Sequence, residues 1–319
     1  MKKNNSILKL LLVLLVVMDL VLCGLFAKTM LDNRKLDKNL TSIKKEKKEF
    51  EDKYNVDHEK LVEYEEKYSK KKVDNPAVKI PVITFHRTVD HETKISKKDI
   101  KDSEWINDAS VMEEELKWLF DNGWKSIDLD QFYCWYNKEC EFDEKTFVIT
   151  IDDGDSEAYY TVLPILEKFK YKATLFSIGK FIPETTEPLE EPTRKKLGYD
   201  IIKKLREEKS LLQVESHTYD LHSELKNGKG VVSSKTKAQI IEDFKNNEKY
   251  EFKYLAYPFG YYDQKLLEVV AQDTDIKMAF IFKKQGYATR LSNKYEIPRI
   301  KINSYMNLND FKKWFDYAK

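Results

Sequence analysis

Histidine is scarce in this chain and cysteine scarcer still. The 319 residues hold five histidines, at His58, His86, His91, His217 and His222, and three cysteines. No Cys-x-x-Cys pair occurs, which excludes the thiolate zinc knuckles built on such pairs. Cys23 lies inside an apolar run. Cys134 and Cys140 are close neighbours, and two states stay open for them: a local disulfide if this part of the chain is extracellular, or two free thiols. Net charge is only +1, so no general attraction for nucleic acid is implied. No internal repeat stands out, and no proline interrupts residues 31–72. What the chain has in quantity is charge, at 35% Asp, Glu, Lys and Arg, and aromatic side chains, at 13%. Aromatic faces serve carbohydrate grooves and ordinary cores alike.

The length suits one large domain plus extras, or two small domains. Ile7 to Ala27 is mostly apolar, about the ~20 residues that cross a bilayer. Leu25 and Ala27 make a poor cleavage signal, and the run is long for a signal core, so residues 1–30 read as a cytoplasmic tip and a transmembrane signal-anchor. Lys28, Arg34, Lys35 and Lys38 after the span blur the positive-inside rule. The expected location is the cell membrane, single-pass, with everything downstream outside. Residues 31–75 read as a stalk and linker. Leu36, Leu40, Ile43, Phe50, Tyr54, Leu61, Tyr64 and Tyr68 fit alternating 4-3 spacing, the pattern of a coiled coil, and would allow self-association. A solitary charged helix, or a disordered segment with chance periodicity, is the alternative.

Residues 76–319 read as one globular domain in which strands alternate with helices, the pattern of a parallel α/β sheet or barrel. Ser110 and Glu113 are spaced as a capping box for a helix through Val111, Leu116, Leu119 and Phe120. Val162, Ile165, Leu166 and Phe169 share one face of a helix over Ser156 to Lys170. Thr146 to Ile151 is a continuous apolar and β-branched run, as expected of a strand buried on both faces. It ends in Asp152-Asp153-Gly154. If the strand breaks at the glycine, both carboxylates can reach one cavity at the carboxyl end of the sheet, where α/β folds bind ligands. The plain alternative is a strand-to-helix turn capped by aspartate.

A second strand, Leu211 to Val214, delivers His217-Thr218-Tyr219-Asp220-Leu221-His222. Two imidazoles and one carboxylate make a metal site with open positions. The spacing of five is not the helical i, i+4, so a loop must bring the rings together; taken alone, the segment could be two surface histidines. With the aspartates the set becomes a minimal kit for hydrolysing an amide or ester. A bound metal ion lowers the pKa of water toward ~7, and a free neighbouring carboxylate can take the proton.

These residues resemble the polysaccharide deacetylase family, the NodB-homology carbohydrate esterases, over roughly Pro81 to Ile302. Thr150-Ile151-Asp152-Asp153-Gly154 is similar to the family's Thr-Phe-Asp-Asp-Gly motif. The resemblance implies a distorted (β/α) barrel. It implies Asp152 as catalytic base and Asp153, His217 and His222 as ligands of one divalent ion, zinc first, with cobalt or nickel as alternatives. Tyr257-Pro258-Phe259-Gly260 resembles the third motif, with Tyr257 at the substrate and the backbone N–H near Phe259 as oxyanion donor. The His spacing is similar to the branch that acts on poly-β-1,6-N-acetylglucosamine, the biofilm adhesin. The expected reaction is metal-dependent removal of N-acetyl groups from an N-acetylglucosamine polymer. Peptidoglycan deacetylation, or a catalytically weak glycan-binding surface protein, are the alternatives. Tyr261, Tyr262, Trp135 and Tyr219 are candidate groove residues.

Three positions depart from the family pattern. Ala256 stands where an arginine usually steadies the base, and Arg299 is the candidate substitute, against a structural or surface role. No histidine follows His222, so the family's late acid is missing; His86, after a Pro81–Phe85 strand, is the candidate for protonating the leaving amine, against a buried structural histidine. Asp155 follows the glycine where an aromatic is common, and would crowd the ion or cap the helix at Ser156.

Overall fold

In the computed structural model of this chain, residues 73–90, 103–189, 193–282 and 285–318 are described. The apolar run, the stalk, Cys23, His58 and His91 lie outside them. Among the described residues no helix is long and apolar enough to cross a membrane.

The strands and helices follow one another as β1 (Lys79–Phe85), β2 (Arg87–Val89), β3 (Ile106–Asp108), α1 (Ala109–Asp121), β4 (Lys125–Ser126), α2 (Leu129–Tyr136), β5 (Thr146–Ile151), α3 (Leu163–Phe169), β6 (Ala173–Ser177), α4 (Tyr199–Glu207), β7 (Leu212–Ser216), α5 (Lys237–Asn246), β8 (Tyr254–Ala256), α6 (Gln264–Gln272), β9 (Met278–Ile281), β10 (Tyr287–Thr289), β11 (Ile297–Pro298), β12 (Ile300–Lys301) and α7 (Leu308–Lys312). A ten-stranded sheet runs β10-β1-β5-β6-β7-β8-β9-β11, with β12 also on β1 and β4 on β5. Only β10 is antiparallel, on β1. The sheet is a nearly closed barrel. Its seam is the short segment Ile297–Lys301: β11 pairs with β9 and β12 with β1. Arg299 sits between these two pairings.

Alternation along the strands decides what faces inward. Val82, Val148, Phe176, Ala256, Phe280 and Ile297 pack together inside the barrel. Their neighbours Ile83, Ile149, Leu175 and Ile300 pack outward against the helices. Counting on by twos, Asp152 falls on the same side as Val148, and Arg299 on the same side as Ile297. The inner lining therefore turns from apolar to polar near the carboxyl ends of the strands. Thr84 and Thr150 hydrogen-bond side chain to side chain at 2.7 Å within it.

Local details differ from expectation in two places, and a third settles an open alternative. α1 is capped by Asp108, whose carboxylate accepts from the Ser110 N–H, and not by a Ser110–Glu113 box. Asp108 stands two residues earlier, with the extended backbone of an N-cap, and is as good a capping residue as serine. The Ser156–Lys170 helix begins with a π-helical stretch, Ala158–Val162, before α3; the face through Val162, Ile165 and Leu166 is buried as the periodicity requires. Cys134 and Cys140 form a disulfide, their Cα atoms 5.5 Å apart.

Candidate active site

The site is built where strands β5 and β7 stop. β5 ends at Ile151, and the chain breaks sharply: Asp153 has φ 78° and Gly154 φ 75°. A positive φ at aspartate costs of the order of 1–3 kcal/mol, and it turns the second carboxylate to the same mouth as the first. Gly154 is required there. Added to its positive φ, a Cβ would lie 2.9 Å from the Ser177 Cα.

β7 delivers His217, which is 2% exposed. Its Nδ1–H donates to the Ala256 carbonyl at 2.8 Å. That bond fixes the tautomer and leaves the Nε2 lone pair free, the arrangement expected of a metal-ligating histidine. His217 Nε2 lies 3.8 Å from Asp153 Oδ1, and His222 Nε2 lies 3.2 Å from the same oxygen. One ligand atom from each of Asp153, His217 and His222 falls within 4.8 Å of the others. The donors are of the right kind, converge on one point and leave a side open, so they fit a divalent ion of the catalytic type.

The loop between the histidines is held by its backbone. Thr218 takes φ 66°, uncommon for a β-branched residue. The N–H groups of Tyr219 and Asp220 donate to the two oxygens of Asp243 at 2.8 and 2.7 Å. Burial pushes Asp243 up to about 6, although those two hydrogen bonds pull the other way.

Asp152 stands beside the cluster but is engaged elsewhere. Arg299 Nη1 donates to Oδ1 at 2.7 Å and Nη2 to Oδ2 at 2.8 Å. Neither side chain sees solvent, at 1% and 0% exposure. Burial alone would raise the Asp152 pKa, but the Arg299 charge outweighs it, with help from His217, the Arg299 hydrogen bond and His86, and the pKa is lowered. The guanidinium also lies over the Phe282 ring, 4.0 Å from its centroid. Asp153 is held well below the usual carboxylate range: burial opposes this, and the His222 hydrogen bond and the three nearby histidines outweigh it.

His86 Nε2 is 3.8 Å from Asp152 Oδ2, the oxygen that His217 Nε2 approaches to 4.0 Å. Burial lowers its pKa, against the raising effect of Asp152 and Asp153. Trp105 meets the His86 ring edge-on at 4.5 Å and is 41% exposed. Phe259 has φ 57°, packs on His222 at 4.5 Å and is 44% exposed. The two backbone hydrogen bonds of its turn are made by Gly260 and Tyr261, so neither uses the Phe259 N–H.

Comparison with known proteins agrees with this geometry. The family model described as polysaccharide deacetylase matches residues 140–278. A poly-beta-1,6-N-acetyl-D-glucosamine N-deacetylase of Staphylococcus aureus (strain MSSA476) is 32% identical over 227 residues, covering 69% of this chain and 74% of that protein. The chain belongs to the polysaccharide deacetylase family. It is therefore an enzyme of the polysaccharide N-deacetylase class. Two solved structures share the fold: IcaB from Ammonifex degensii, at TM-score 0.61 and 18% identity over 75% of this chain and 97% of that one; and the Streptococcus pyogenes deacetylase PplD in complex with acetate, at 0.58 and 20% over 74% and 98%.

The deacetylase fold brings together Asp152, Asp153, His217, His222, Arg299, His86 and Phe259. It does not bring all the predicted residues to the mouth. Tyr257 has its ring buried against Tyr262 at 5.3 Å and its N–H spent on the Phe280 carbonyl at 3.1 Å, so it shapes the wall and does not face substrate. Trp135 is a core residue, fully buried, with its indole N–H on the Ala77 carbonyl at 2.9 Å. Asp155 neither crowds the ligands nor caps a helix, because Arg194 and Lys196 hold it at 2.6 and 2.8 Å. Three contributors escaped the sequence reading: the Ala256 carbonyl, Asp243 and Trp105. A backbone carbonyl carries no side-chain signal, Asp243 lies on a helix far along the chain, and Trp105 has no local motif.

Proposed function

We propose that this deacetylase removes N-acetyl groups from an extracellular N-acetylglucosamine polymer, with the poly-β-1,6-linked polymer as preferred substrate. One observation carries the reading. Asp153, His217 and His222 converge as an ion-binding triad, with a second carboxylate, Asp152, kept ionised beside it by Arg299. The donor set suits zinc. Asp153, His217 and His222 would hold the ion, and when bound it would supply charge that acidifies the attacking water and polarises the acetyl carbonyl.

The chain's own residues do the rest. Asp152 takes the proton of the attacking water at a carboxylate oxygen. Arg299 keeps that carboxylate oriented and anionic until then. The Phe259 N–H faces the developing oxyanion. His86 is kept neutral by burial, so it can accept a proton at Nε2 from Asp152 and pass it to the leaving amine. Trp105 beside His86 and Phe259 beside His222 offer exposed aromatic surface for a sugar ring. The apolar run at 7–27 would anchor the enzyme in the cell membrane with this domain outside, and the 31–75 segment would serve as a spacer able to self-associate.

The test is amine release by the purified full-length chain from acetylated β-1,6- and β-1,4-linked glucosamine oligomers, with and without chelator. Faster release from the β-1,6 series, abolished by chelator and restored by Zn(II), is expected. Equal, negligible release in every condition would refute the reading. A preference for the β-1,4 series would refute the substrate assignment.

A further inference from the structure

Arg194 stands against the ligand triad without belonging to it. It lies on a segment that runs beside the residues after β5. The Leu197 N–H donates to the Gly154 carbonyl at 3.0 Å and the Ser156 N–H to the Lys195 carbonyl at 2.9 Å. From that position Arg194 Nη2 donates to Asp153 Oδ2 at 2.7 Å and to Asp155 Oδ2 at 2.6 Å, and Nε donates to Asp155 Oδ1 at 2.7 Å. The two oxygens of Asp153 are thereby divided: Oδ1 faces His222 and His217 at 3.2 and 3.8 Å, while Oδ2 is occupied by the guanidinium.

We propose that Arg194 is a positioning residue that confines Asp153 to single-oxygen ligation and so sets the ion affinity of the site. The proposal rests on the metal reading above. Its physical basis is the charge count. Arg194 and Lys196 balance Asp153 and Asp155, and Arg299 balances Asp152, so no surplus negative charge draws a cation in. Affinity must then come from orientation. An aspartate held in a left-handed backbone conformation, with one oxygen clamped, is oriented before the ion arrives. Hydrogen-bonding partners of a ligand typically change metal affinity 10- to 100-fold when lost. Asp155, which replaces the aromatic common in the family at this point, is what seats the guanidinium: its two oxygens accept from Nε and from Nη2.

Deleting Arg194 alone would also remove a positive charge, which by itself favours a cation, so the two variants that break the fork hold charge constant; K196M loses a positive charge, which by itself would not weaken cation binding. R194K keeps the charge and loses the fork. The double variant R194M/D155N removes the fork together with one carboxylate. K196M cuts a different tie of the same segment, the Lys196 bonds to Asp155 and to the Asp153 carbonyl, and leaves Asp153 Oδ2 alone. Zn(II) affinity of the metal-free full-length chain is measured by chelator competition, and the visible spectrum of the Co(II) form reports its coordination. R194K and R194M/D155N are expected to bind Zn(II) at least about tenfold more weakly, with an altered Co(II) spectrum, while K196M stays within about threefold. Wild-type affinity in both fork variants, or an equal loss in K196M, would overturn the proposal. The melting temperature of each metal-free variant separates loss of fold from loss of binding. If the unsubstituted chain binds neither ion, the metal reading itself fails, and this one with it.

Discussion

Arg299→Met tests whether the base is set by its guanidinium. The pair is held by two hydrogen bonds of 2.7 and 2.8 Å, with both side chains out of solvent. With charge centres ~4 Å apart and an effective dielectric near 20, their attraction is about 4 kcal/mol. Methionine removes all of it and keeps the apolar stem. The stranded carboxylate then has two ways out. If it stays ionised, folding is weakened by about 3–5 kcal/mol, the usual cost of breaking a buried pair on one side. If it takes a proton, the cost grows with the distance of the pH above the ordinary carboxylate pKa, and the base is lost at neutral pH. The sign of the pH dependence separates variant from parent. In the parent, the lowered Asp152 pKa contributes stability that is present above the ordinary carboxylate pKa and lost as pH falls through the folded value. In R299M, burial dominates and the pKa rises, so the variant loses stability as pH climbs. Urea unfolding across pH 4–8 measures this, and kcat/KM for amine release over the same range should show the acid limb moved up by more than about one unit. R299K, which keeps a point charge without the fork, should fall between. A folded R299M whose acid limb coincides with that of the parent would refute the reasoning.

Three further outcomes are expected. Asp152→Asn should lower kcat by about 10²–10⁴ while leaving Zn(II) affinity within about threefold, because Asp152 is not among the three converging ligands; unchanged activity would remove its role as base. Burial lowers His217 to about 4, against an unfolded value near 6.5. Between those limits the unfolded chain binds the extra proton, so the metal-free enzyme should lose roughly 3 kcal/mol as pH falls from ~6.5 to ~4, and the slope should flatten in His217→Asn; equal slopes would count against it. Gly154→Ala should cost about 2–5 kcal/mol, a left-handed backbone penalty plus the clash with Ser177. Gly123→Ala is the control for the backbone part alone, since Gly123 has φ 78° with open space around it; equal losses in the two variants would show that the contact does not matter.

The parts of the site that could be read from sequence are those attached to strand ends. Asp152, Asp153 and Gly154 follow a run whose composition already marks a buried strand, and His217 follows another. Parallel strands put their carboxyl ends at one rim, so placing two such motifs together needs no knowledge of packing. The misreadings share a cause. Trp135 carries a ring that suits a sugar groove, and Tyr257 lies in a motif that places it at the substrate, yet each sits on a face whose neighbours are apolar, and the core took them. What the sequence could not show were contacts made by backbone or by distant turns. The Ala256 carbonyl orients His217, Asp243 gathers two amides of the histidine loop, and Arg194 reaches Asp153 from beyond α3 and β6.

Ala256 and Arg299 together explain how the departure from the family's third motif is tolerated. Two jobs meet at the end of β8. One is backbone work: the Ala256 carbonyl holds His217 Nδ1, and any side chain at that position leaves it intact. The other is to neutralise Asp152, and here a guanidinium does so from the barrel seam. The relocation links catalysis to closure. Segment Ile297–Lys301 joins β9 to β1, and its apolar anchors are Ile297, packed inward, and Ile300, packed outward, each fully buried. Burial of such residues contributes roughly 1.5–3 kcal/mol apiece, comparable with the ~4 kcal/mol of the ion pair. The closed seam is stabilised by the counter-charge that Asp152 gives Arg299, and Asp152 is kept ionised inside by the guanidinium the closed seam holds against it. Linkage makes the dependence reciprocal: protonating Asp152 must loosen the seam by as much as opening the seam raises its pKa. Protection of the Ile300 and Ile302 amides against hydrogen exchange should therefore fall in acid together with the activity. A seam that stays equally protected through the acid limb would show that the base and the barrel closure are independent.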